Sequence, residues 1–238
     1  MVKVSGDGDH RGGQAGRLLV LWMAAVVGLH AVSWLGGACT AALEDAVESG
    51  AARTERARIA EVGDDLVRKA VQLQQATRPF WKALALVGDF VIDPLALIVR
   101  ALATAAILSS LAALVGRPPG FSRALSENAG AQRFWVLGLA VRVGLAIALR
   151  RNDAETSLTL AMPPGTYPAS AWVALSQFDA FALLGWTTVA RGAWRRGQAN
   201  LATALTVCLL LWVAEAAVRT AGTLATGAGM RLTLIPEL

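Results

Sequence analysis

The sequence predicts an all-α, polytopic membrane protein, a bundle of about five transmembrane helices with a long amphipathic helix outside the membrane. Long apolar stretches recur along the 238 residues, arginines bound them, and charged residues make up only 16% of the chain. A soluble domain carries about 25% charged residues. Because backbone groups in hydrocarbon must be satisfied internally, each spanning segment is expected to be a helix of about 20 residues.

Composition also limits the partners and cofactors that we expect. The formal net charge is +5, but the arginines lie at the ends of apolar runs, where they anchor helices and attract anionic lipids. We therefore expect contact with anionic lipids and no binding of nucleic acid. Cys39 and Cys208 have no metal-binding spacing, and His10 and His30 are too few for a histidine-rich site. No metal and no cofactor are expected.

The first two segments differ sharply in character. Residues 1–38 are predicted to form a cytoplasmic segment and a first transmembrane helix, TM1, at Leu18–Leu35, retained rather than cleaved as a signal sequence. Residues 39–79 alternate in charge and are predicted to form one long amphipathic helix outside the membrane, which Pro79 ends. Its apolar stripe at heptad spacing is expected to dock a partner. The stripe residues are Ala52, Ile59, Val62, Leu66 and Leu73.

Residues 80–221 are predicted to form a four-helix membrane core. We expect an interfacial or re-entrant helix at Phe80–Ile92, with a hairpin over 80–116 as the alternative. A short amphipathic helix is expected over 121–132. The predicted spans are TM2 at Leu95–Val115, which Pro94 starts, TM3 at Phe134–Leu149, TM4 at Ala171–Ala190 and TM5 at Leu201–Val218.

The side of the membrane on which each chain end lies follows from the basic turns. Residues 191–200 form the shortest and most basic turn, which places it in the cytoplasm under the positive-inside rule. Counting spans from there predicts a cytoplasmic N-terminus and an outward C-terminus. Residues 222–238 are predicted to form a tail in which Met230–Ile235 alternates like a short strand.

Charged residues inside the apolar runs are the candidate functional groups. Arg142 in TM3 and Asp179 in TM4 have opposite charges at similar depth, which predicts an intramembrane ion pair. The alternatives are an Arg142 that snorkels alone, or a proton or substrate path. Glu215 and Arg219 are four residues apart near the end of TM5 and are expected to pair across one helical turn.

Asp89 and Asp93 are also four residues apart. Two carboxylates on one helical face can bind a cation or act as acid and base. In the sequence no histidine, asparagine or third acid accompanies them. We therefore expect solvated acids on an interfacial helix.

From about Asp93 to Arg219 the chain resembles the bacterial Yip1-like integral membrane proteins. The resemblance is carried by the proline-started TM2, by the linker RPPGFSRALSENAG, and by the stretch Phe178-Asp179-Ala180-Phe181, which Trp186, Val189 and Gly192 follow. It implies a multi-pass protein of the bacterial inner (cytoplasmic) membrane. It further implies a non-enzymatic role in membrane organisation or partner binding.

Three functions remain open on these grounds. The first is a scaffold or accessory subunit of a larger membrane assembly, whose partners are other membrane-protein subunits or further copies of the chain. The second is a small-solute or ion transporter or channel that uses Arg142 and Asp179. The third is a cofactor-binding redox or pigment-associated membrane subunit.

Overall fold

The computed structural model describes residues 7–37, 39–40, 64–117, 120–149, 156–161 and 169–232. These residues form helices and no strand, with one isolated β-bridge between Ser157 and Asp179, so the predicted all-α fold class is confirmed. The α-helices are α1 (Asp7–Leu35), α2 (Asp64–Val87), α3 (Asp93–Leu114), α4 (Phe121–Ala131), α5 (Arg133–Leu149), α6 (Ala169–Ser176), α7 (Ala180–Arg195) and α8 (Leu201–Leu232). A π-helical turn at Gly88–Ile92 joins α2 to α3, and a short 3-10 helix covers Leu158–Ala161.

Four helical segments of the described chain are long and apolar enough to cross a membrane. They are Gly13–Leu35, Arg78–Leu114, Phe121–Leu149 and Leu201–Thr226. Three of them contain the predicted TM1, TM3 and TM5, and the longer second segment contains TM2 except for its last residue, Val115. The chain is therefore a membrane-embedded helical bundle.

Pro79 does not end the helix in which it lies, so that prediction is wrong, whereas Pro94 starts α3 as predicted. Pro79 lies inside α2, and the backbone stays helical through the π-helical turn into α3. The Asp93 amide donates to the Gly88 carbonyl oxygen five residues earlier, and the wider π turn accommodates the missing N–H of Pro94. Neither a separate interfacial helix at Phe80–Ile92 nor a hairpin over 80–116 forms, because one continuous helix runs from Asp64 to Leu114.

The predicted TM4 is not one helix. It breaks at residues 177–179 into α6 and α7, because Asp179 adopts an extended backbone (φ −96°, ψ 142°) and its carboxylate accepts a hydrogen bond from the Phe181 amide. This is an N-cap, and it starts a new helix. The described segment 156–161 lies against the break, where the Leu158 amide donates to the Phe178 carbonyl.

The helices run in alternate directions through the bundle. In α1 and α3, which are antiparallel, Val26 packs with Leu97 and Val136, while Ala15 and Leu19 pack with Ala101 and Ala129. Contacts between Ser109 and Gln198 and between Arg100 and Glu215 show that α8 is antiparallel to α3. The start of α1 and the α7–α8 turn therefore share one end of the bundle, as the topology prediction requires.

Small residues allow α5 and α7 to approach closely. Gly185 lies against the indole of Trp135, and Gly138 lies against Phe181, so a Cβ at either glycine would meet a side chain of the other helix. The Trp135 and Trp186 rings meet edge to face at 5.7 Å. Close backbone approach at small residues is the usual packing mode of membrane helices.

Two predictions concern the extramembrane parts. Met230–Leu232 belongs to α8 rather than to a strand, so the strand prediction is wrong for these residues, and residues 233–238 lie outside the described chain. In the predicted docking stripe, Leu66 and Leu73 lie on α2. Ala52, Ile59 and Val62 lie outside the described residues.

Candidate functional site

Arg100 is a deeply buried charge at the centre of the bundle. Its side chain is 5% exposed, and its guanidinium pairs with both carboxylate oxygens of Glu215, with Nε at 2.9 Å from Oε2. The Arg100 Nη1 donates to Gln132 Oε1 at 2.9 Å, and the guanidinium lies 4.3 Å from the ring centroid of Trp135. An arginine buried in this way needs such a partner set, because an unpaired charge at this depth is costly.

The charged contacts continue from Glu215 toward α1. The Glu215 carboxylate also accepts from Arg219 Nε at 3.1 Å, which confirms the predicted i,i+4 pair. Arg219 Nη1 lies 3.7 Å from Asp93 Oδ1, and Asp93 Oδ2 lies 3.3 Å from His30 Nε2. One line of titratable side chains therefore connects α3 and α8 to α1.

Asp89 completes this line at the π-helical turn. Its Oδ2 accepts a hydrogen bond of 2.7 Å from the Trp34 indole nitrogen, and its Oδ1 lies 3.7 Å from His30 Nδ1. His30, Asp89 and Asp93 thus meet, with their ligand atoms within 4.8 Å of one another. The expectation of solvated acids without a histidine is therefore wrong, because the α1–α3 packing brings His30 from 59 residues away in sequence.

The predicted Arg142–Asp179 ion pair does not form. Asp179 is held instead by Thr156 Oγ1 and by the Phe181 amide, both at 2.6 Å, since it caps α7 rather than lying inside a helix. Arg142 is exposed on α5. The two residues nevertheless line the same cavity.

This cavity has a volume of about 110 Å³ and lies between α3, α5, α8 and the α6–α7 break. An adjoining cleft of about 930 Å³ reaches the π-helical turn on one side and Thr226 on the other. Three acids and three arginines line the smaller cavity, and their charges balance. They are Asp93, Asp179, Glu215, Arg100, Arg142 and Arg219.

Outside the spans, two groups are perturbed by burial. Burial raises the pKa of the Cys39 thiol above its usual 9.0, and the neighbouring Asp89 adds to this, while the Ser33 hydroxyl 3.1 Å from its sulfur opposes it. Burial lowers the pKa of the Arg196 guanidinium, against the effect of its partner Glu127. A thiol with a raised pKa carries less of the reactive thiolate at neutral pH.

Sequence reasoning missed Arg100 and the role of His30. Arg100 was visible as a charge five residues inside the predicted TM2, and such a charge in an apolar run marks a buried partner. Asp179 in front of an apolar run was visible as an N-cap. The meeting of His30 with Asp89 and Asp93 had no local signal, because it depends on the register of α1 against α3.

No protein-family model matches the chain, and no curated protein or solved structure matches it either. The Yip1-like resemblance therefore stays a prediction.

Proposed function

We propose that this protein is a non-enzymatic scaffold or accessory subunit of a larger assembly in the bacterial inner membrane. The observation that carries the proposal is the continuous helix from Asp64 to Leu114. At 1.5 Å per residue it is roughly 75 Å long, against about 30 Å for the hydrocarbon core. A helix of this length presents side chains well outside the bilayer.

The paired charges in the bundle also favour a static role. Arg100, Glu215 and Arg219 satisfy one another through short contacts. Such a set fixes the register of α3 against α8, as buried polar groups do in some helical assemblies. A rigid bundle that holds a projecting helix is the architecture that an accessory subunit requires.

Purification in a gentle detergent tests this proposal. Wild-type protein is expected to migrate on native gels at the mass of a complex, and deletion of residues 44–76 is expected to release an inserted bundle from it. Leu73→Asp should weaken the complex because it places a charge in the apolar stripe. Gln72→Asp is the matched control, since it adds the same charge at the adjacent, exposed position on another face.

Comigration of the truncated protein with the complex would show that the projecting helix is not the docking element. A wild-type protein that migrates as a monomer would contradict the proposal as a whole. Two differently tagged copies distinguish a homo-oligomer, in which the tags copurify, from an assembly with other membrane-protein subunits.

Transport of a small ion or solute is the second candidate. The observation that favours it is that both irregular points of the bundle, the π-helical turn and the α6–α7 break, line the same 930 Å³ cleft. Interrupted helices that face each other across a charged cavity are typical of transporter binding sites. Arg142 and Asp179 would then face the solute.

Flux into proteoliposomes tests this candidate. Asp179→Asn keeps an N-cap while it removes the charge, so it is expected to reduce flux without unfolding the bundle. Arg123→Gln alters a mostly exposed side chain of α4 and is the control. Absence of ion or solute flux in the wild-type protein would refute transport.

A further inference from the structure

We infer that His30, Asp89 and Asp93 form a binding site for one divalent cation, with Zn²⁺ and Mn²⁺ as the ions that best match the ligands. Neither partner docking nor transport requires this site. Its residues come from two packed helices, His30 from α1 and the two carboxylates from the π-helical turn and the first residue of α3.

The distances suit a metal ion after a small closure. One ligand atom from each residue lies within 4.8 Å of the others. Around a tetrahedral ion with bonds of about 2.1 Å, ligand atoms are roughly 3.4 Å apart, so movements of about 1 Å complete the geometry. Such movements are rotations of aspartate side chains that are 26% and 39% exposed.

His30 gives an independent indication of a ligand. The residue is only 6% exposed, and its Nε2 lies 3.3 Å from Asp93 Oδ2 without the geometry of a hydrogen bond. A buried polar nitrogen without a hydrogen bond is unusual in native proteins. The lone pair of a neutral imidazole at this position is a natural metal ligand.

The two carboxylates are held so that each leaves one oxygen toward His30. Asp89 Oδ2 accepts from Trp34, which leaves Oδ1 on the histidine side. Asp93 Oδ1 faces Arg219, which leaves Oδ2 on the histidine side. Outer partners that orient metal-ligating carboxylates in this way raise affinity in characterised sites.

The charged groups around the site favour a bound cation. In the described part of the bundle, the arginines at positions 100, 142 and 219 balance the carboxylates of Asp93, Asp179 and Glu215. Asp89 adds one further negative charge beside His30. A bound divalent ion compensates this charge.

The ligand types select the ion. One imidazole nitrogen with two carboxylates suits Zn²⁺ or Mn²⁺, whereas Cu⁺ prefers thiolates and thioethers. Ca²⁺ takes six to eight oxygen ligands, more than these residues offer. Asp93 also lines the 930 Å³ cleft, which gives the ion an entry path.

Equilibrium binding of Zn²⁺ and Mn²⁺ to the full chain in detergent, first stripped with a chelator, tests the proposal. We expect one ion per chain for the wild type. His30→Gln and Asp93→Asn are each expected to lower the affinity at least tenfold, in line with loss of a ligand. His10→Gln is the matched control, because it removes the other histidine of the chain and leaves the site intact.

X-ray absorption on the Zn²⁺-loaded wild type gives a second readout that does not depend on a variant that folds. One nitrogen with oxygen ligands supports the site, and a sulfur ligand overturns it in favour of Cys39. Absence of saturable binding in the wild type overturns it as well. Equal affinities of His30→Gln and the wild type, with both eluting as folded protein, would also overturn the site.

Discussion

Replacing either member of the Arg100–Glu215 pair is expected to destabilise the bundle, and by unequal amounts. Arg100 is 5% exposed and Glu215 is 24% exposed. When Arg100→Met removes the guanidinium, Glu215 keeps its contact with Arg219 at 3.1 Å. When Glu215→Leu removes the carboxylate, the buried guanidinium keeps only the neutral amide of Gln132 and the Trp135 ring among the contacts described above.

The magnitudes follow from these remaining partners. Breaking a buried ion pair by removing one partner costs about 3–5 kcal/mol, and we place Glu215→Leu in that range. Arg100→Met should cost about 2–3 kcal/mol, because a second arginine and partial hydration still stabilise the carboxylate. The double variant should lose less than the sum, with a coupling energy of about 1–3 kcal/mol.

Reversible unfolding in mixed micelles measures these differences. Arg142→Met is the matched control, since Arg142 is an exposed arginine of the same bundle and should change the free energy of unfolding by less than about 1 kcal/mol. A larger loss for Arg100→Met than for Glu215→Leu would refute the reasoning. Strict additivity in the double variant would show that the two side chains do not interact.

Three further predictions concern packing, reactivity and the edge of the bundle. Gly185→Ala should destabilise the bundle by about 1–3 kcal/mol in the same unfolding assay, because the new Cβ would collide with Trp135. Gly144→Ala, where a Cβ meets open space, should not destabilise it, and equal effects of the two variants would contradict the packing. In a Cys208→Ala protein, Cys39 should react with maleimide more slowly than a free thiol at pH 7, and its rate should still be rising at pH 9.0, where that of an ordinary thiol levels off, because burial raises its pKa. Fast labelling of this protein at neutral pH would disprove the prediction. Arg196→Gln should loosen the α7–α8 turn, because Arg196 pairs with Glu127 and donates a hydrogen bond to Gln198. Limited proteolysis should then cleave near residue 197, and unchanged protection from the protease would argue against these two contacts.

The spans of this protein were predictable because hydrocarbon imposes a length on every crossing helix. The apolar run of TM3 was predicted at Phe134–Leu149, and α5 covers Arg133–Leu149. The errors arose at Pro79 and Asp179, whose roles were predicted from the neighbouring sequence alone. Pro79 stays inside α2, Pro94 lies in the first turn of α3 directly after the π turn, and Asp179 breaks the predicted TM4 because it caps a new helix.

The candidate site was predictable only in part. Glu215 and Arg219 pair within one helix, where spacing alone decides contact. The partners of Arg100 and His30 lie on other helices, where contact depends on the relative register and rotation of packed elements. A charge inside an apolar run indicates that a partner exists, but the sequence does not name it.

The number of crossings tests the account most directly, because four segments are long and apolar enough to cross the membrane, and we predict that α6 and α7 together form a fifth, interrupted crossing. Single cysteines at Leu158 and Arg195, both exposed, lie at opposite ends of the bundle in a background without Cys39 and Cys208. An impermeant maleimide added to intact cells should label Leu158→Cys and leave Arg195→Cys unlabelled until the membrane is opened. Labelling of both positions from the same side would contradict the five-crossing bundle, and with it the placement of the projecting helix outside the cytoplasm.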